Sequence, residues 1–209
     1  FTFFLLFFYS NIIGLNPALA GSAIFIALCV DAVTDPLMGT ISDRTNSSYG
    51  RRHPFMMISF IPMSLGYIFL FAPRQDWDMS QSDLFIWMTI FTVITRIGMT
   101  LFDIPHRAFG GEVTKNYKER TILMSWREMF GWVAGLSNAF LGYGVFFAST
   151  SEYPQGQLNP DAWFPFAVTG AIFMIVSVLY SSLSTKDEIK SLSKWSGSIS
   201  LLDIVNELK

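Results

Sequence analysis

Apolar stretches long enough to cross a bilayer recur along this chain, separated by short polar connections. A hydrocarbon core of roughly 30 Å needs about 20 apolar residues per helix, and lipid admits only elements that satisfy their own backbone hydrogen bonds. Such stretches lie near Ala18–Ser42, Pro54–Ala72, Asp83–Gly110, Thr121–Ser149 and Trp163–Ser184. The chain opens inside another, Phe1–Ser10, which reads as the C-terminal part of a span begun further upstream. The expected fold is all-α: a polytopic membrane helix bundle over residues 1–184, with six spans of which the first is incomplete. Composition agrees, with 51% hydrophobic and 14% charged residues and a mean hydropathy of +0.41, against about 25% charged residues in soluble domains. The formal charge of −2 gives no support for nucleic-acid binding. The single Cys29 excludes an internal disulfide framework and reads as a small apolar residue in a helix.

Basic residues alternate between connections. Arg44, Arg51 and Arg52 follow the second span, Lys115, Lys118 and Arg120 the fourth, and Lys186, Lys190, Lys194 and Lys209 the sixth. The other side carries only Arg74. The positive-inside rule places the basic loops in the cytoplasm, with Trp77, Tyr153 and Trp163 near the outer boundary. Residues 185–209 turn polar, with apolar residues at loosely helical spacing, and read as a cytoplasmic central linker with an amphipathic helix. The Phe-rich opening, Phe1–Phe8, is expected to face lipid. Gly131, Gly135 and Ala139 form a small-residue ridge suited to helix packing, and Gly39, Gly66, Gly98, Gly142 and Gly144 would let helices approach closely.

Charges at membrane depth are costly and mark ion or substrate pathways. Asp31 and Asp35 are four residues apart in the second span, and with Thr34 they share one helical face. Thr100 and Asp103 share a face of the fourth, with Arg96 two turns from Asp103 on nearly the same face, and Arg127 and Glu128 lie in the fifth. Carboxylate and hydroxyl oxygens are hard ligands, suited to an alkali cation or a carried proton. Structural ion pairs between helices are the competing reading. Asp35 precedes Pro36, so the second helix either breaks there, exposing carbonyl oxygens beside the carboxylates, or kinks. Glu128 reads as near the cytoplasmic end and solvated.

Several strings are more specific. Asp31-Ala32-Val33-Thr34-Asp35-Pro36-Leu37-Met38-Gly39, then Ser42-Asp43-Arg44-Thr45 and Gly50-Arg51-Arg52-His53-Pro54-Phe55, resemble the glycoside–pentoside–hexuronide:cation symporters. These form the melibiose-permease branch of the major facilitator superfamily. Asp103-Ile104-Pro105, Gly110-Gly111-Glu112, Lys118-Glu119-Arg120-Thr121 and Arg127 extend the resemblance in order over nearly the whole chain. It implies a twelve-helix fold of two six-helix halves, of which this chain resembles the N-terminal one. It also implies that Asp31, Thr34, Asp35 and Thr100 line a cation site, with Asp31 and Asp35 as metal ligands if the ion is Na⁺. Asp103 and Arg127 would contact sugar hydroxyls. Two departures stand out: Thr34 replaces an asparagine of the melibiose permease, and Arg107 replaces the aromatic residue that stacks on the sugar there. An arginine at that place suits an acidic sugar or another anionic solute, or is an ordinary charge at the cytoplasmic helix end. Asp43, Arg44, Arg51 and Arg52 resemble the superfamily's cytoplasmic gating motif, which biases the conformational equilibrium through bonds to neighbouring helix ends.

The expected function is a secondary symporter coupled to Na⁺ or H⁺, moving a sugar or glycoside-type solute by alternating access. It would sit in a bacterial inner membrane, need no cofactor beyond the co-transported ion, and have as partners the solute, lipid and a second six-helix half. A carrier of lysolipid-like amphiphiles or other anionic solutes is the alternative. An intramembrane aspartyl enzyme is disfavoured, because the chain has no Gly-x-Gly-Asp string, nucleophile elbow, zinc-ligand pair or phosphate loop.

Overall fold

A computed structural model describes residues 2–114 and 116–186. The expected linker, 185–209, lies outside the described residues apart from Thr185 and Lys186. Helix α1, Thr2–Phe7, continues as a π-helical turn over Phe8–Ile13. Then come α2, Pro17–Arg44; α3, His53–Ile58; α4, Phe60–Leu70; α5, Gln81–Glu112; α6, Tyr117–Leu141, continued by a π-helical turn over Gly142–Phe146; and α7, Trp163–Ser184. Among the described residues, five segments are long and apolar enough to cross a membrane: α2, α3 with α4, α5, α6 with its π-turn, and α7 with the short turn before it. The first span is present as the shorter apolar helix Thr2–Ile13.

The helix starts follow from the sequence. Asn16 caps α2 by accepting a hydrogen bond from the Ala18 backbone N–H at 2.9 Å, and Pro17 occupies the first turn, where its missing donor costs nothing. Ser80 and Asp83 close a capping box on α5. The two starts are tied together: the Gln81 side chain accepts from the Asn16 N–H at 2.8 Å and donates to the Gly14 carbonyl at 2.9 Å. This holds α2 and α5 side by side, the arrangement on which the candidate site depends.

Helices α4 and α5 cross through glycines. A β-carbon on Gly66 would stand 2.5 Å from Thr95 Oγ1, and one on Gly98 would run into the Met63 backbone. Only glycine permits this approach, as expected for Gly66 and Gly98. The ridge of Gly131, Gly135 and Ala139 behaves otherwise, since Gly131 and Gly135 meet no described atom within 4 Å and α6 buries no residue.

The core lies at the end of the bundle remote from the basic loops and is aromatic. Trp163 is 1% exposed; its ring lies 5.8 Å from Phe71 at 11°, 5.9 Å from Phe7 and 4.6 Å from Phe147. One expectation is corrected here. The Phe-rich opening does not face lipid as a whole: Phe8 is buried and Phe4 and Phe7 pack against the core, while Phe3 is exposed. Trp163, at the start of α7, turns its ring into this core; burial of the ring is compatible with a polar tip because its indole N–H donates to the Gln157 carbonyl at 3.0 Å. Cys29 is exposed on α2.

Candidate functional site

The second helix neither breaks nor unwinds at Asp35-Pro36; α2 runs through as one helix. Pro36 lacks a backbone N–H, so the Ala32 carbonyl one turn earlier loses its usual helical donor and adds one backbone oxygen to those of the side chains. Face-sharing along α2 then meets face-sharing along α5. Thr100 Oγ1 donates to Asp35 Oδ1 at 2.7 Å, and Arg96 Nε donates to Asp31 Oδ2 at 2.5 Å. Arg96 therefore turns to Asp31 across the helix interface and not along its own helix to Asp103.

These side chains wall a cavity of about 290 Å³ between α2, α4 and α5. Asp31, Asp35, Arg96, Thr100 and Asp103 supply its polar groups, and Met63, Met99, Phe102 and Ile104 its apolar ones. Five buried side-chain oxygens among the described residues have no hydrogen-bond partner, and two of them, Asp31 Oδ1 and Thr34 Oγ1, belong to this stretch of α2. Buried polar atoms in native proteins are usually satisfied, so two orphaned oxygens beside the Asp35–Thr100 pair fit a small hard cation or a proton. Thr34 itself is not part of the cavity wall.

One turn further along α5, Asp103 joins two arginines. Arg107 Nε approaches Asp103 Oδ2 at 2.7 Å, and Arg127 Nη2 on α6 pairs with Asp103 Oδ1. Arg127 Nη1 also reaches Glu128 at 2.9 Å, so Glu128 is engaged in an ion pair, although its side chain remains 65% exposed. Asp103, Arg107 and Arg127 thus form one cluster at the rim of the cavity. A carboxylate flanked by planar guanidinium groups presents the donors and acceptors that bind hydroxyls or carboxylates of a solute.

A second charged cluster closes the basic end. Arg52 lies across two helix ends: Nη2 is 2.5 Å from Asp43 at the end of α2 and 3.0 Å from Glu112 at the end of α5. Arg51 reaches the same Glu112 at 2.8 Å. Arg44 closes α2. Sequence reasoning missed Glu112 as the shared acceptor, though it stands in the Gly110-Gly111-Glu112 string. Beside this cluster, His53 Nε2 and Thr185 Oγ1 are 3.0 Å apart, joining α3 to the end of α7. Groups of three or more metal-ligating residues do not occur among the described residues.

An uncharacterized symporter of Synechocystis sp. is 33% identical over 191 residues, 90% of this chain and 34% of the relative. A putative glycoside/cation symporter of Escherichia coli is 32% identical over 125 residues, 60% of this chain and 26% of the relative. A sodium-dependent lysophosphatidylcholine symporter of Danio rerio is 31% identical over 139 residues, 64% of this chain and 25% of the relative. The chain thus spans about a third or less of the length of these relatives. All are named as transporters and none as an enzyme. Residues 1–203 match the family described as MFS/sugar transport protein, and the chain, an integral membrane bundle, belongs to that family.

Proposed function

We propose that the full-length protein is a secondary symporter that couples Na⁺ or H⁺ to a sugar or glycoside-type solute by alternating access. The observation that carries this reading is the Asp35–Thr100 pair, a carboxylate and a hydroxyl at 2.7 Å in the wall of a cavity that also contains Asp103. A cation would bind at Asp35, with Thr100 and Thr34 as auxiliary oxygens and Asp31 nearby. Neutralising Asp35 would stabilise the local arrangement in which Asp103, Arg127 and Arg107 receive the solute. The halves would then rock about the midplane, with Asp43, Arg44, Arg51 and Arg52 biasing which side is open. Each carried charge contributes about 2.3 kcal/mol per 100 mV, equivalent to about fifty-fold accumulation. The uncovered face of α6 is where further helices of the full-length protein would pack. By the positive-inside rule the basic end faces the cytoplasm of a bacterial inner membrane.

Replacing Asp35 with Cys in the full-length protein should abolish cation-stimulated uptake; undiminished stimulation would sink the assignment. A second reading, a carrier of lysolipid-like amphiphiles, is favoured by the apolar cavity wall of Met63, Met99, Phe102 and Ile104. One relative is named as a sodium-dependent lysophosphatidylcholine symporter. Competition of uptake by glycosides or by lysophospholipids separates the two.

A further inference from the structure

Four carboxylates and three guanidiniums, from α2, α5 and α6, meet in and around the cavity between α2, α4 and α5. Arg96 is engaged by Asp31, Arg107 by Asp103, and Arg127 by Asp103 and Glu128. Asp35 is left over. Among the described residues it makes no ion pair, and its hydrogen-bond partner is the uncharged Thr100 hydroxyl.

Asp31 and Asp35, one turn apart on α2, are therefore not equivalent. Asp31 and Arg96 have side chains 16% and 22% exposed, so both are withdrawn from bulk water. A close pair in such surroundings is electrostatically self-sufficient. Asp35 in the same cavity has no contact ion pair among the described residues, Arg107 acting on it only through space, and a charge at membrane depth needs a close counterpart.

We infer that Arg96 is a built-in counter-cation that withdraws Asp31 from the cation site, so that the transporter takes up one monovalent cation, at Asp35, per cycle. This rests on the symporter reading. Arg96 is a positioning residue: it sets how many cations the α2 carboxylates accept and touches neither the travelling cation nor the solute. The remaining lone pairs of Asp31, including the unpartnered Oδ1, become available to a second cation only when the guanidinium is removed.

The test counts cations bound by the purified full-length protein, using equilibrium binding of radioactive sodium and, in parallel, proton uptake on acidification. The wild-type protein should bind one cation that is lost in Asp35→Asn. Arg96→Gln should bind one more, sodium or proton, than the wild type. Arg96→Lys, which keeps the charge, should not gain it. Because Arg96→Gln leaves a buried carboxylate uncompensated and can unfold, Asp31→Asn/Arg96→Gln serves as the second variant: it removes both charges and should lose the extra cation again. Two cations in the wild type, or equal numbers in the wild type and Arg96→Gln, would overturn the role of Arg96. Cation binding that persists unchanged in Asp35→Asn would overturn the symporter reading itself. Loss in Asp35→Asn without a gain in Arg96→Gln overturns the Arg96 inference alone.

Discussion

Thr100 on α5 donates its hydroxyl hydrogen to Asp35 on α2 at 2.7 Å, and both side chains face the same cavity. Thr100 is 8% exposed, so the bond is sheltered. The pair joins the two helices whose first turns are tied by Gln81 and Asn16 at the opposite extremity. A hydroxyl in this place can orient the carboxylate when no cation is present and turn its oxygen to a cation when one arrives, because Thr is both donor and acceptor.

Thr100→Val keeps the shape and deletes the hydroxyl. A hydrogen bond to a charged group contributes about 1.5–3 kcal/mol, so the cation concentration for half-maximal uptake should rise by about tenfold or more. Thr100→Ser should retain most of the affinity. Cation titration of uptake in vesicles containing the full-length variants measures this, and an unchanged half-saturation in Thr100→Val would remove Thr100 from the site.

Arg52 and Glu112 should be coupled energetically. Arg52 is 7% exposed in its side chain and is held by both Asp43 and Glu112. Deleting either partner leaves charge poorly compensated, while deleting both removes the problem. A double-mutant cycle of Arg52→Ala and Glu112→Ala should therefore show a coupling of about 1 kcal/mol or more in thermal stability, with Glu112 partly exposed and the effect reduced by solvent. Additive losses would mean that the 3.0 Å contact does not tie α5 to the start of α3.

Much of this arrangement could be read locally. Span positions depend on apolar length, and the common face of Asp31, Thr34 and Asp35 depends on helical periodicity alone. The partner of Arg96 was not legible, because Asp31 or Asp103 is reached according to how α2 and α5 are aligned, which no single helix encodes. The fate of Phe4, Phe7 and Phe8 was hidden for another reason: a phenyl ring suits lipid and a dry core equally, so apolarity does not tell them apart. Pro36 was ambiguous because the lost backbone donor can be absorbed by an otherwise continuous helix. Glu112 lies at a helix end, where a solvated charge is the ordinary outcome.

Gly98→Ala should be among the costly glycine substitutions. Its β-carbon would meet backbone atoms of Met63, which cannot rotate aside. Overpacking of this kind costs about 1–3 kcal/mol, seen as a lowered melting temperature of the detergent-solubilised protein. Gly21→Ala in α2 meets nothing within 4 Å in this chain and should be neutral or stabilising by up to about 1 kcal/mol through helix propensity. Equal effects at the two positions would contradict the close crossing of α4 and α5.

Trp163→Ala tests how much the aromatic core depends on one ring. The ring is 1% exposed and contacts side chains from the first helix and from the residues that cap α4 and the π-turn after α6, so its removal opens a cavity among Phe7, Phe8, Phe71 and Phe147. Loss of a buried aromatic costs about 3–5 kcal/mol. Its neighbour Phe164 is 48% exposed, and Phe164→Ala should cost less than half as much. Trp163→Phe should recover part of the loss, since it refills most of the volume but leaves the Gln157 carbonyl without its donor. Melting temperatures in one detergent order the three variants, and a Trp163→Ala protein no less stable than Phe164→Ala would contradict the burial of this ring in the core.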